Sequence, residues 1–181
     1  MIILLLSFAT LTAQKKYSEY DDTFKKYSKR YFGPGYDWKI FKAQSVAESG
    51  LSPEAVSPVG ARGLMQLMPS TFADVQSANP QFESIDDPVW NIAAGIYYDR
   101  QIYKAWKEID EEEEKLSFTF GSYNAGRGTI MKAQDKAKEK SLDHTAWENI
   151  TVVAPEVPKW RHEETIGYVE RIKKFHLKMM K

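Results

Sequence analysis

The chain of 181 residues contains no cysteine, which removes disulfides, thiolate nucleophiles, thiolate zinc sites and lipid attachment through a thiol in one step. Stability has to come from packing. Net charge is also lacking, because 25 basic residues cancel 25 acidic ones. No global field is therefore present to hold nucleic acid or an anionic membrane by counterion release, and nucleic acid is not an expected partner. Histidine is scarce: His144, His162 and His176 show no short ligand spacing, and the acidic residues form no calcium-loop pattern with its central glycine. Neither a metal nor a cofactor is expected. Long apolar runs are missing as well. The most apolar stretch, Met1 to Ala13, is shorter than the roughly 20 residues needed to span a bilayer and gives way abruptly to Gln14-Lys15-Lys16. It reads as the apolar region of a signal peptide ending at Ala13, although no positive residue precedes it and the bulky Leu11 stands two residues before Ala13. Residues 1–13 are thus expected to direct export to the periplasm or cell envelope, leaving 14–181 as one domain.

What is present is ordinary globular material: 43% hydrophobic and 28% charged residues, which argues against disorder and, at this length, for a single core. Tyr17, Tyr20, Phe24, Tyr27 and Tyr31 recur at spacings of three and four, predicting an amphipathic helix over about 17–32. Gly33-Pro34-Gly35 breaks it, and Trp38 to Ser49 predicts a second helix stopped at Gly50. Leu51 to Pro69, with Pro53, Pro58, Gly60 and Gly63, predicts an irregular turn or short-strand segment. Asp87-Pro88 has the form of a helix start, with apolar residues continuing to about Trp106. The acidic run Asp110 to Glu114 reads as a solvated connection or exposed helix end. Helical patterns resume near 116–123, 129–138, 145–150 and 162–176. Neither an internal repeat nor a regular strand–helix alternation is visible, so the expected fold is mainly α with a short irregular β/turn segment.

One carboxylate has the surroundings of a general acid. Glu48 shares a helical face with Gln44 and Phe41, which directs it inward. The last turn of a helix also places it at the negative end of the macrodipole, so burial and dipole both disfavour its ionised form. A group that must hold a proton near neutral pH and deliver it to a leaving oxygen needs this environment. Position alone does not decide, since most glutamates near helix ends are surface residues.

The run that follows is more specific. Glu48-Ser49 and Pro53-Glu54-Ala55-Val56-Ser57-Pro58-Val59-Gly60-Ala61-Arg62-Gly63-Leu64-Met65-Gln66-Leu67-Met68-Pro69-Ser70-Thr71 resemble the signature of the soluble lytic transglycosylase catalytic domain. Ser122-Tyr123-Asn124-Ala125-Gly126 and Glu164-Thr165-Ile166-Gly167-Tyr168-Val169 resemble later segments of that family in the same order, and Asn91 to Tyr98 is a weaker fourth match. The resemblance spans about 38–175. It implies a lysozyme-like fold, mainly α, with a groove for strands of alternating N-acetylglucosamine and N-acetylmuramic acid. Glu48 matches the catalytic glutamate. Ser57, Gln66 and Met68 match positions lining the glycan groove, Tyr123 matches a tyrosine that orients the catalytic carboxyl, and Asn124 and Glu164 match polar positions in or beside the groove. Departures are Gly50 in a variable spacer, Phe72 for a commonly small residue, and Gly121-Ser122 where alanines are common.

Each assignment has a structural alternative. Met65 and Met68 could both fill packing gaps, Tyr123 could be a buried tyrosine with a satisfied hydroxyl, and Glu164 could favour its helix start electrostatically. Three functions follow. In the first, Glu48 acts as both acid and base, and the muramic acid 6-hydroxyl closes a 1,6-anhydro ring without water. In the second, a goose-type-like lysozyme needs a further carboxylate to activate water; Glu54 is the only acid between Ser49 and Ala73, leaving Asp86, Asp87 and Glu164 as more distant candidates. The third is an inactive glycan-binding envelope protein. The expected partner is the peptidoglycan glycan strand, met by a monomeric chain.

Overall fold

The aromatic stripe near the start becomes α1 (Asp21–Phe32) in the computed structural model, which describes residues 17–181. Asp21 and Asp22 occupy its first turn and Lys29 and Arg30 its last, both favourable to the helix dipole. Phe24 and Tyr27 are buried, and Phe32 lies 4.7 Å, centroid to centroid, from both Tyr36 and Phe41. Phe41 belongs to α2 (Lys39–Ser49), which packs on α1. A polar tie joins the same pair: Lys42, almost fully buried, meets Asp21 at 2.6 Å, with its ammonium 4.6 Å from the Tyr17 ring centre. Helix α2 stops where expected. Gly50 adopts the left-handed conformation, and its N–H returns to the Val46 carbonyl.

The segment after α2 forms no named strand. Its only ladder fragments are the isolated antiparallel bridges Val56↔Arg62 and Arg62↔Leu67, in keeping with the irregular β/turn expectation. Helix α3 (Pro69–Ala78) follows, and sequence periodicity did not reveal it. Its start is nevertheless signalled by Pro69 in the first turn behind an extended Met68, and it buries Phe72 and Val75. Helix α4 (Pro88–Ala105) begins at the expected cap, where Asp87 Oδ1 accepts from the backbone N–H groups of Val89 and Trp90 at 2.8 and 3.0 Å.

The chain divides into two compact units, Met1–Gly95 and Ile96–Lys181, with the boundary inside α4. Beyond α4 the second unit contains α5 (Glu112–Ala125), α6 (Arg127–Glu139), α7 (Trp147–Val153) with a short 3-10 turn at Ala154–Glu156, and α8 (His162–Met179). The acidic run proves to be a helix end: Glu111 caps α5 by accepting from the Glu114 N–H at 2.7 Å, and Glu114 itself accepts from the Trp147 N–H at the start of α7. Helix α5 packs against α6 and α8. Its apolar side is built from aromatic edges, Phe118 lying 5.3 Å from Trp106 and 5.4 Å from Trp147. Gly121 sits under the Trp147 ring, where a Cβ would come within 2.2 Å of the indole. Ser122 accepts from Trp106 Nε1 at 3.1 Å and donates to the Phe118 carbonyl at 2.7 Å. Both departures from the family pattern in this stretch therefore belong to the tryptophan packing of this chain.

Candidate functional site

In the first unit, the last turn of α2 carries Glu48, half-buried. Ser45 and Ser49, three residues before and one after it, both donate to the Leu64 carbonyl at 2.9 Å. That carbonyl belongs to irregular backbone, where no helix or sheet ladder supplies a donor, so the two hydroxyls complete it. The consequence is a helical turn fastened to the 62–67 segment on either side of the glutamate.

Asn91, 1% exposed on α4, holds the same segment from a second direction. Its Oδ1 accepts from the Met65 N–H at 2.8 Å, and its Nδ2 donates to the carbonyls of Arg62 and Ile85 at 3.0 and 2.9 Å. Gly63 leaves the space this amide fills, since a Cβ there would lie 2.4 Å from Asn91 Nδ2. Gln66 has a left-handed backbone (φ 45°), and its Nε2 donates to the carbonyls of Ala55 and Gly63 at 3.1 and 2.9 Å. Both amide hydrogens thus fold the loop on itself. Ser57 closes a smaller loop: its Oγ accepts from the Ala61 N–H at 3.0 Å while its own N–H donates to the Ala61 carbonyl at 2.9 Å.

The two methionines separate. Met65 is fully buried, packed where Gly95 of α4 leaves room, whereas Met68 is 39% exposed, as are Val56 and Val59 of the same segment to larger extents. Of the acids considered as a second catalytic group, Asp86 pairs with Arg62 at 2.8 Å, and Asp87 is the cap of α4.

In the second unit, Tyr123 and Asn124 stand at the C-terminal end of α5. Tyr123 is half-buried, with its ring 5.3 Å from that of Tyr98. Asn124 is exposed but not loose. Trp160 Nε1 donates to Thr165 Oγ1 at 3.0 Å, and Thr165 Oγ1 donates to Asn124 Oδ1 at 2.8 Å. This relay fixes the amide orientation and leaves the Asn124 NH2 as the outward donor. Glu164, next to Thr165 in the first turn of α8, is exposed and pairs with Arg161 at 2.9 Å.

Within the first unit the structure thus brings Ser57, Gln66 and Met68 onto the one segment fastened beside Glu48. Within the second it joins Asn124 to the neighbour of Glu164. The supporting residues Ser45, Asn91 and Thr165 were not singled out from sequence. Asn91 and Thr165 did lie inside quoted matches, and a polar residue within an apolar helical stripe is the signal that could have found them. Among the described residues, no group of three or more His, Asp or Glu side chains is placed to hold a metal ion, and no helix is long and apolar enough to cross a membrane.

Comparison with known proteins adds three findings. The family described as Transglycosylase SLT domain matches residues 22–145. The chain is 28% identical over 174 residues to membrane-bound lytic murein transglycosylase F of Photobacterium profundum, a match covering 90% of this chain and 32% of that protein. It is 29% identical over 164 residues to the protein of the same name from Vibrio campbellii, covering 84% and 29%. The chain therefore spans about a third of the length of these curated relatives. Among solved structures it resembles the 70 kDa soluble lytic transglycosylase of Escherichia coli, with a TM-score of 0.67 and 27% identity over 87% of this chain and 23% of that one. It also resembles an inactive mutant of the lytic transglycosylase Slt of Pseudomonas aeruginosa, with a TM-score of 0.68 and 23% identity over 88% and 23%.

Proposed function

The chain belongs to the transglycosylase SLT domain family, and from that premise we propose that it is a peptidoglycan lytic transglycosylase with Glu48 as its single catalytic acid and base. Glu48 donates its proton to the oxygen bridging N-acetylmuramic acid and N-acetylglucosamine, so the glycosidic bond breaks with the electron pair leaving on that oxygen. The carboxylate then takes the proton of the muramic acid 6-hydroxyl, whose oxygen closes on the anomeric carbon. The products are a new glucosamine 4-hydroxyl and a 1,6-anhydromuramic end, with no water consumed.

The observation that carries this reading is the fastening of the Glu48 turn to the Gln66 segment through Ser45, Ser49 and the Leu64 carbonyl. A proton donor has to be held to within a fraction of an ångström of its target, and these bonds restrict both sides of that turn. In this proposal Ser57, Gln66 and Met68 line the glycan path, with Met68 offering an exposed apolar surface to a pyranose ring. Tyr123 orients the Glu48 carboxyl, Asn124 donates to a sugar oxygen through its fixed amide, and Glu164 stands at the edge. The use of Asp87 as the cap of the α4 N-terminus, where its Oδ1 accepts two backbone N–H groups, supports the non-hydrolytic course by giving that carboxylate a structural role.

We further propose that residues 14–181 act as one catalytic domain in the cell envelope, as a monomer, after export directed by residues 1–13, which lie outside the described residues. Digestion of purified peptidoglycan followed by mass spectrometry of the fragments tests the reaction. Muramyl ends lighter by one water are expected; reducing muramyl ends would make water the nucleophile, and an absence of cleavage with retained glycan binding would make the protein a binding module.

A further inference from the structure

The neutrality of the whole chain conceals a local imbalance. From Arg171 to Lys181 there are five cations (Arg171, Lys173, Lys174, Lys178 and Lys181) and no acid. On α6, by contrast, Lys136 and Lys138 pair with Glu139 and Asp135, and Lys140 just beyond it pairs with Glu156. The lysines of α8 form no ion pair among the described residues.

Their arrangement is as unusual as their number. Thr165, Tyr168, Val169 and Ile172 form the buried stripe of α8. In the turns beyond Ile172, away from that stripe, Leu177 is 64% exposed, and Met180 just past the helix end is 57% exposed. Leu177 has Lys173 and Lys174 at i−4 and i−3, its neighbours on the helix surface, and Lys178 and Lys181 follow it in the sequence. Together with Glu170, the four lysines and Leu177 line one shallow depression. An apolar side chain in the middle of a solvent face, ringed by ammonium groups on flexible apolar stems, has the form of an interfacial membrane contact. The leucine enters the acyl boundary while the lysines reach outward to the headgroups. A soluble polyanion would use the lysines and leave Leu177 without a role.

We propose that this face of α8 docks the domain on an anionic phospholipid surface, independently of the glycan site. Each lysine close to such a surface strengthens partitioning about fivefold. The test is sedimentation of the full chain with vesicles of mixed phosphatidylglycerol and phosphatidylcholine, and with vesicles of phosphatidylcholine alone. The apolar segment 1–13 is common to every variant, so any contribution it makes cancels in the comparison. The wild type should bind the anionic vesicles and release in high salt. The variant Lys173→Gln, Lys174→Gln, Lys178→Gln, Lys181→Gln should lose on the order of several hundredfold in partitioning, with unchanged cleavage of soluble glycan fragments. Leu177→Ser should weaken binding several-fold while preserving its salt dependence. Equal binding by the quadruple variant, or equal binding to uncharged vesicles, would overturn the proposal. So would an unaffected Leu177→Ser variant that binds a soluble polyanion as tightly as the vesicles, since the face would then be a polyanion site. A failure of glycan cleavage in the wild type would touch the enzymatic reading alone.

Discussion

The segment at 51–68 and the helical group α5 to α8 solve the same problem in opposite ways. Each presents polar side chains at fixed positions, but the first does so on irregular backbone and the second on helix ends. Irregular backbone leaves carbonyls and N–H groups that no ladder satisfies, so the 62–67 segment is fixed by side chains that bond to main chain: Ser45, Ser49, Gln66 and Asn91. Helices satisfy their own backbone and can be placed by apolar packing, here Phe118 between Trp106 and Trp147 with Gly121 beneath the indole. Polar substitutions should therefore damage geometry in the first region, and volume changes should damage stability in the second.

The largest effect is expected at Glu48, the proposed acid and base. Glu48→Gln keeps size and hydrogen bonding but can neither donate nor recover the proton, so turnover on peptidoglycan should fall on the order of a thousandfold while glycan binding and the unfolding midpoint change little. Next comes Tyr123→Phe, which retains the ring against Tyr98 and removes one hydroxyl. Stability should drop by no more than about 1 kcal/mol, whereas displacing a catalytic group by about 1 Å can cost a hundredfold in rate. Unchanged turnover would return Tyr123 to a packing role.

Two further substitutions separate the regions directly. Asn91→Ala strands the buried Met65 N–H and takes a donor from the Ile85 carbonyl and from the Arg62 carbonyl, which keeps the Leu67 N–H; it should cost about 3 kcal/mol, with turnover lowered further than the folded fraction explains. Gly121→Ala pushes a methyl group into Trp147 and should cost about 2 kcal/mol, with turnover per folded molecule preserved. Denaturant titration beside activity per folded molecule distinguishes them. If Gly121→Ala lost activity and Asn91→Ala did not, the division of labour drawn here would be inverted.

The same contrast explains what could be read from sequence. The stop at Gly50 and the Asp87-Pro88 start were legible because each is set by one or two residues acting locally. Helix α3 was not, because only Phe72 and Val75 mark its buried side and it follows directly on a Pro- and Gly-rich stretch. Helix α5 begins at Glu112 instead of near Leu116, because the exposed Glu111 caps it and the acidic turn suits the positive end of its dipole. Asn91, and the reason Gly121 is glycine, depend on partners 26 residues away in the chain, Met65 and Trp147. Such pairings carry no local pattern. Glu48 itself was singled out through its neighbours in the motif and stands as a proposal, since helix position alone describes many solvent-exposed glutamates.

The smallest expected effect tests a hydrogen bond between side chains that belongs to neither scheme. Tyr103 on α4 donates its phenolic proton to Glu112 at the start of α5. Burial, followed by the hydrogen bond and charge of Glu112, raises its pKa from 10.0 to about 12. The group is protonated when neutral, so a raised folded pKa means that the folded state keeps a proton that the unfolded chain releases more readily. The resulting stabilisation is complete below the unfolded pKa near 10 and is lost as pH climbs from there to about 12. Tyr103 is only half-buried, so screening reduces this contribution well below what the shift alone would suggest. Spectrophotometric titration of phenolate should show a late-ionising component that shrinks by one tyrosine in Tyr103→Phe, and the variant should match the wild type in turnover near neutral pH. Its stability should fall less steeply than that of the wild type between those two pH values. A tyrosine titration identical in the two proteins would show that the Tyr103–Glu112 bond does not persist in solution, and that the helix start at Glu112 relies on the Glu111 side-chain cap.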